Sequence, residues 1–152
     1  MAVEVGDKAP DFELKDQHGT PVRLADLRGR RVLLVFYPLA FSGICHGELC
    51  ALRDDLVASA PKDVQVLTVS VDSMFTQRAW ADKEGFTFPM LSDFWPHGDV
   101  AQAYGVFDED RGLALRGTFV IDGEGVVRWK RVNPVASARD ISEYHKVLAE
   151  IT

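Results

Sequence analysis

Residues 12–24, FELKDQHGTPVRL, alternate apolar and polar side chains on either side of His18-Gly19. That two-residue period around a glycine-bearing turn predicts a β-hairpin, an edge ribbon. Arg31 to Tyr37, RVLLVFY, is a continuous β-branched and aromatic run stopped by Pro38, the pattern of a central strand covered on both faces. Beyond an irregular Pro38–Phe41 segment, Ser42 stands where an N-cap would, and Leu49, Leu52 and Leu56 recur at helical spacing. Together they predict a helix from about Gly43 to Ala58. Val64 to Val71 predicts a second buried strand, and Ser73 to Glu84, closed by Gly85, a second helix. Phe88 to Leu91 predicts a short edge strand, because Pro89 has no N–H for a ladder. Asp99 to Tyr104, ahead of Gly105, predicts a short helix. Leu113–Ile121 and Val126–Val132 flank Asp122-Gly123-Glu124-Gly125, a hairpin signal, and Arg139–Ile151 predicts a closing amphipathic helix. No repeat, linker or biased stretch interrupts the series. The expectation is one domain over residues 1–152, an α/β three-layer sandwich on a mixed central sheet.

Composition narrows the function classes. Of 152 residues, 47% are hydrophobic and 26% charged, the ordinary globular balance. Lys plus Arg number 17 against 23 for Asp plus Glu, a formal charge of −6, and no basic cluster is dense enough to track phosphates, which argues against nucleic acid as a partner. The longest apolar run, Val32–Phe41, is broken by Pro38 and falls well short of the roughly 20 residues that span a bilayer. The N-terminus MAVEVGDKAPDF has no basic start followed by an apolar stretch, so a cytoplasmic protein is expected. Two cysteines do not make a disulfide scaffold, and a close pair in a reducing compartment is more often reactive or metal-binding.

With Ser42 as cap, Cys45 occupies the third helical position, where backbone N–H groups lack intrahelical partners and the positive end of the helix dipole points. Such a site favours a thiolate over a thiol, as a nucleophilic sulfur requires. At about 100° per residue, Cys45 shares one helix face with Leu49, Leu52 and Leu56, so a buried structural cysteine is the competing reading. Cys50 lies about 140° further round, with the two Cα atoms roughly 8–9 Å apart. A disulfide needs less than about 7 Å, so linking them requires the helix start to unwind. Otherwise Cys50 is an inert helix-face thiol. Cys45, His46 and Cys50 match no standard zinc spacing, and no metal is expected. His46 points away from Cys45, and His18, His97 and His145 read as surface residues. Trp80, Phe94, Trp95 and Phe107 read as core by default, or else as an association surface.

Pro38-Leu39-Ala40-Phe41-Ser42-Gly43-Ile44-Cys45 resembles the P-x-x-x-[T/S]-x-x-C signature of the peroxiredoxins, thiol peroxidases with a thioredoxin-like fold. The resemblance extends along the chain. Gly6-Asp7-Lys8-Ala9-Pro10-Asp11-Phe12 is similar to the family's opening G-x-x-A-P-D-F, and Ser92-Asp93 follows its F-P-x-L-S-D pattern. Arg116-Gly117-Thr118-Phe119-Val120-Ile121-Asp122 is similar to its arginine-bearing strand, and Glu48 falls where it often has an acid. Phe36–Cys45 and Leu91–Gly98 look like the alkyl hydroperoxide reductase E type. The N-terminal hairpin, βαβ core and C-terminal hairpin plus helix also suit a thioredoxin-like sheet.

The resemblance implies that Cys45 is the peroxidatic cysteine, attacking a peroxide oxygen and becoming a sulfenic acid. Arg116 would hold thiolate and peroxide, Ser42 would hydrogen-bond the peroxide where most relatives carry threonine, and Pro38 would shield the sulfur. By strand pattern alone Arg116 reads as exposed. The E type is usually one-cysteine, whereas a second cysteine five residues on resembles the Q type, the bacterioferritin comigratory proteins, in which it resolves the sulfenic acid. That implies a Cys45–Cys50 disulfide reduced by thioredoxin, a glutaredoxin-like protein or a low-molecular-weight thiol. The substrates implied are hydrogen peroxide, organic hydroperoxides and peroxynitrite, with no metal, flavin or haem cofactor. A homodimer is implied, with Phe41 and Phe94-Trp95-Pro96 as contacts. Three rivals remain: a one-cysteine enzyme resolved by an external thiol or a peroxide sensor using the same sulfur; a disulfide reductase, disfavoured because C-x4-C replaces C-x-x-C; and a structural α/β binding domain.

Overall fold

The computed structural model describes residues 3–57, 63–136 and 139–150. Glu13–Lys15 (β1) and Pro21–Arg23 (β2) pair antiparallel as the expected hairpin. Its turn is built by Asp16, whose Oδ1 accepts from the amides of His18 (2.8 Å) and Thr20 (3.0 Å), with Gly19 at φ 81°. This ribbon is a separate sheet; it reaches the central sheet through the Gln17 side chain instead of a backbone ladder.

The run Arg31–Phe36 forms β3, and its Ser42-led helix is α1, Gly43–Ala51. The expected regular helix to Ala58 is corrected here: from Leu52 to Val57 the chain winds as a π-helix, and Ala58 lies outside the described residues. In that widened stretch Arg53 reaches the backbone oxygen of Glu84 and the carboxylate of Asp54, tying the turn to its neighbours. Cys45, Leu49 and Leu52 are buried as the stripe predicted, while the Leu56 side chain lies outside the described set.

Val64–Ser70 (β4) pairs in parallel with β3. Met74–Glu84 (α2) follows, with Ser73 accepting at its N-cap from Thr76 N and Gly85 left-handed at its end. The edge strand is Met90–Ser92 (β5), displaced from the expected Phe88–Leu91 because Pro89 offers only its carbonyl, which accepts from Thr68 N and Oγ1 at 3.0 Å each. Asp99–Ala103 is α3.

The single strand expected over Leu113–Ile121 is two. Phe107–Asp108 (β6) pairs with Leu113–Ala114 (β7), and the chain kinks at Leu115 before Arg116–Ile121 (β8). Val127–Asn133 (β9) and Ile141–Glu150 (α4) complete the order; Arg139 precedes α4, and Ile151 lies outside the described residues.

The central sheet runs β5-β4-β3-β8-β9, with β8 and β9 antiparallel to their neighbours. Alternation along β3 divides the core in two. Leu33, Val35 and Tyr37 pack with Cys45, Leu49 and Trp80 under α1, α2 and α4; Val32, Leu34 and Phe36 pack with Val100, Tyr104 and Phe119 on the α3 side. This is a three-layer sandwich. Among the described residues no helix is long and apolar enough to cross a membrane.

Candidate active site

The sheet's connectivity converges on the start of α1. Strand β3 delivers the chain to Pro38 at its C-terminal end, and β8, running the other way beside it, begins at that same end with Arg116. The intervening loop is held by Asp72, whose Oδ2 accepts from Ala40 N and Ser70 Oγ at 2.7 Å each. Phe41 sits at φ 66°, an uncommon value for a residue with a side chain, and turns the chain into the helix. Ser42 occupies the N-cap in extended conformation, and its carbonyl accepts from His46 N at 2.7 Å. Its hydroxyl makes no cap bond; it donates to Leu39 O at 2.9 Å, so the capping expected of this side chain is corrected.

Cys45 is 0% exposed. Arg116 Nη1 lies 3.3 Å from its sulfur and also pairs closely with Glu48 Oε1, while Arg116 Nε donates to Val135 O at 2.7 Å. The exposed position read from the strand pattern is therefore overturned: the kink at Leu115 turns Arg116 inward, leaving it 2% exposed. The other Glu48 oxygen accepts from Arg139 N (2.7 Å) and Nε (2.9 Å). Arg139 in turn donates to Thr118 Oγ1 at 2.9 Å and to Phe36 O. One carboxylate thus serves two guanidinium groups in a buried cluster. Glu48 is 5% and Arg139 6% exposed. Two guanidinium groups share this one carboxylate, which leaves an excess of positive charge beside the Cys45 sulfur.

A cavity of about 280 Å³ opens over this cluster, lined by Pro38, Ser42, Ile44, Leu113 and Arg116 among others. Pro38 is itself buried; Pro38, Ser42 and Arg116 line one cavity, and Arg116 joins it to Cys45. The cavity presents the Arg116 cation and the Ser42 hydroxyl to a small polar molecule entering from solvent, with the Cys45 sulfur buried 3.3 Å from Arg116 Nη1.

Glycine-rich phosphate loops or metal-ligand spacings play no part in that arrangement. A family model described as the AhpC/TSA family matches residues 5–130. Alkyl hydroperoxide reductase E of Mycobacterium tuberculosis is 50% identical over 151 residues, covering 99% of both chains. The chain is a peroxiredoxin of the AhpC/TSA family. Among solved structures, Enterococcus faecalis AhpC superposes with a TM-score of 0.88 at 30% identity, covering 99% of this chain and 92% of that one. A reduced 2-Cys peroxiredoxin of Plasmodium vivax does so with 0.85 at 31% identity, covering 95% and 80%. The peroxiredoxin fold, thioredoxin-like with a mixed central sheet, is therefore established, and thiol peroxidase is its activity class.

Cys50 stands apart from the Cys45 cluster. Both cysteines of this peroxiredoxin are free, and Cys50 Sγ faces His46 Nε2 at 3.6 Å and Glu84 Oε2 at 4.0 Å. Burial, with the carboxylates of Glu84 and Asp54 nearby, pushes the Cys50 thiol up despite Arg53. Of the aromatic residues read as core by default, Trp80 is fully buried, whereas Phe94 and Trp95 are exposed, 82% in the case of Trp95. Their loop follows β5 at the sheet edge, where both line a surface cavity with Leu14, Pro21, Met74 and Phe75, which overturns the core reading for both. His18, His97 and His145 are exposed as expected, although His97 is anchored to Gly112 O at 2.6 Å. The role of Arg139 escaped sequence reading, which placed it only at the start of the closing helix: it precedes α4, and its burial comes from partners on three distant segments.

Proposed function

We propose that this peroxiredoxin reduces hydrogen peroxide, organic hydroperoxides and peroxynitrite at Cys45 and resolves the product with Cys50. The observation that carries this reading is the 3.3 Å approach of Arg116 Nη1 to a buried Cys45 sulfur, with Arg116 itself lining an open cavity. The Cys45 thiolate attacks one peroxide oxygen, the S–O bond forms as the O–O bond breaks, and the departing alkoxide or hydroxide takes a proton from solvent to leave as alcohol or water, while peroxynitrite's leaving group departs as nitrite. The sulfur is oxidised by two electrons to sulfenic acid. Arg116 and the Ser42 hydroxyl stabilise the charge developing on the leaving oxygen, and Pro38 limits access of bulk water.

Local unwinding of the first turns of α1 then brings the Cys50 thiol to Cys45. A disulfide forms, water leaves, and a thioredoxin, a glutaredoxin-like protein or a low-molecular-weight thiol in the cytoplasm reduces it by thiol–disulfide exchange. The second cysteine gives this chain a Q-type feature on an E-type background. Exposed Phe41 at the start of α1 and exposed Phe94 and Trp95 in the loop after β5 support a homodimer formed through these loops. Peroxide consumption with thioredoxin as reductant tests the reading: Cys45→Ser abolishes it, and Cys50→Ser slows it at least tenfold. A Cys50→Ser variant that turns over as fast as the parent contradicts the resolving role and leaves a one-cysteine enzyme.

A further inference from the structure

We propose that His46, Cys50 and Glu84 form a binding site for a zinc-class divalent cation, separate from the Cys45 cluster. The three side chains converge from two elements. His46 and Cys50 are four residues apart on α1 and so lie one above the other on the same helix face. Glu84 is the last residue of α2, just before left-handed Gly85, where the helix presents its unpaired carbonyls and the negative end of its dipole. One ligand atom from each residue lies within 4.8 Å of the other two.

The three side chains meet in long contacts. Cys50 Sγ to His46 Nε2 is 3.6 Å, Cys50 Sγ to Glu84 Oε2 is 4.0 Å, and His46 Nδ1 to Glu84 Oε1 is 3.7 Å. Zn–S near 2.3 Å and Zn–N near 2.05 Å at a tetrahedral angle put sulfur and nitrogen about 3.5 Å apart. The Cys50 Sγ–His46 Nε2 pair is therefore already at bridging separation, and Glu84, whose 3.7 Å approach to the imidazole is to Nδ1, swings toward Nε2 to complete the site. A thiolate, an imidazole and a carboxylate form a mixed donor set that selects zinc over magnesium or calcium, which prefer oxygen. Three protein ligands leave the fourth position to solvent, and the His46 side chain is half-exposed.

Of the neighbours, Arg53 Nη1 points to the backbone oxygen of Glu84 and stands 3.9 Å from its Oε2, the oxygen that faces Cys50 Sγ, so its guanidinium gives way as the ion takes that oxygen. The Trp80 ring, 6.4 Å from the imidazole, walls the site on the core side. On binding, Cys50 gives its proton to solvent as the metal–sulfur bond forms, so one proton is released per ion. The site stands whether or not Cys50 resolves Cys45; where it does, ion and disulfide compete for one sulfur.

The test is a titration of the reduced full-length chain with zinc against a chromogenic chelator, with cobalt as a spectroscopic probe. One ion binds per chain, cobalt shows thiolate charge transfer and a four-coordinate spectrum, and affinity falls about 100-fold in Cys50→Ser and at least about tenfold in His46→Gln and Glu84→Gln. Cys45→Ser binds like the parent. Absence of stoichiometric binding, binding unchanged in Cys50→Ser, or binding lost in Cys45→Ser overturns the proposal.

Discussion

Arg116 is charged, buried and directional, and each property follows from a contact: the kink at Leu115 buries it, Glu48 holds its Nη1, and Val135 O fixes its Nε. Replacing it with lysine keeps the charge but loses the planar fork, so kcat/KM for hydrogen peroxide is expected to fall 10²- to 10³-fold, equivalent to about 3–4 kcal/mol of transition-state stabilisation. Stopped-flow oxidation of Cys45 measures it. Glu48 answers for two buried guanidinium groups, and Glu48→Gln leaves both with a neutral partner. A loss of about 3 kcal/mol in urea unfolding is expected. Cys50 gives a pH prediction. Burial raises its titration, so less of it is thiolate at neutral pH, and in a Cys45→Ser background its alkylation by iodoacetamide climbs to a midpoint above that of free cysteine measured alongside. A midpoint below free cysteine contradicts this. Cys45, Ser42 and Pro38 were legible because their roles depend on local spacing around one helix start. Arg139 was not, since nothing in its neighbours along the chain marks it for burial between Glu48, Thr118 and Phe36.

Two serines occupy helix N-caps and behave differently. Ser73 caps α2 through its side chain, whereas Ser42 turns its hydroxyl back to Leu39 O. Ser73→Ala is expected to cost about 1 kcal/mol in urea unfolding and Ser42→Ala less than about 0.5 kcal/mol. In peroxidase assays the order reverses: Ser42→Ala loses about tenfold in kcat/KM, the worth of one hydrogen bond to the peroxide. Strands β3 and β4 and helix α2 were legible because uninterrupted apolar runs, Ser73 and Gly85 state them locally. The break before β8 was hidden in a uniform apolar alternation. It arises from the long-range pairing of β6 with β7, with Leu115 N donating to Val106 O at 2.8 Å, and periodicity carries no trace of such a partner. The π-helix after α1 was equally invisible, since Leu49, Leu52 and Leu56 keep the spacing of an α-helix and nothing in the local sequence marks the wider i→i+5 winding.

At the scale of the molecule, Trp95, exposed by 82%, stands near Phe94 in a loop beside the sheet edge, a large apolar surface for a chain of net charge −6 to leave in water. In the dimer reading this surface is covered by a second copy, and Trp95→Asp shifts the sedimentation coefficient from dimer to monomer at micromolar concentration. A monomeric parent removes that reading. The central claim concerns the path of oxidation from Cys45 to Cys50, and intact-mass spectrometry with peptide mapping after one equivalent of hydrogen peroxide, without reductant, tests it most directly. The account predicts loss of two hydrogens and a linked peptide pair containing Cys45 and Cys50. Oxygen retained on Cys45 with Cys50 free, or peroxide consumed while Cys45 stays reduced, contradicts it.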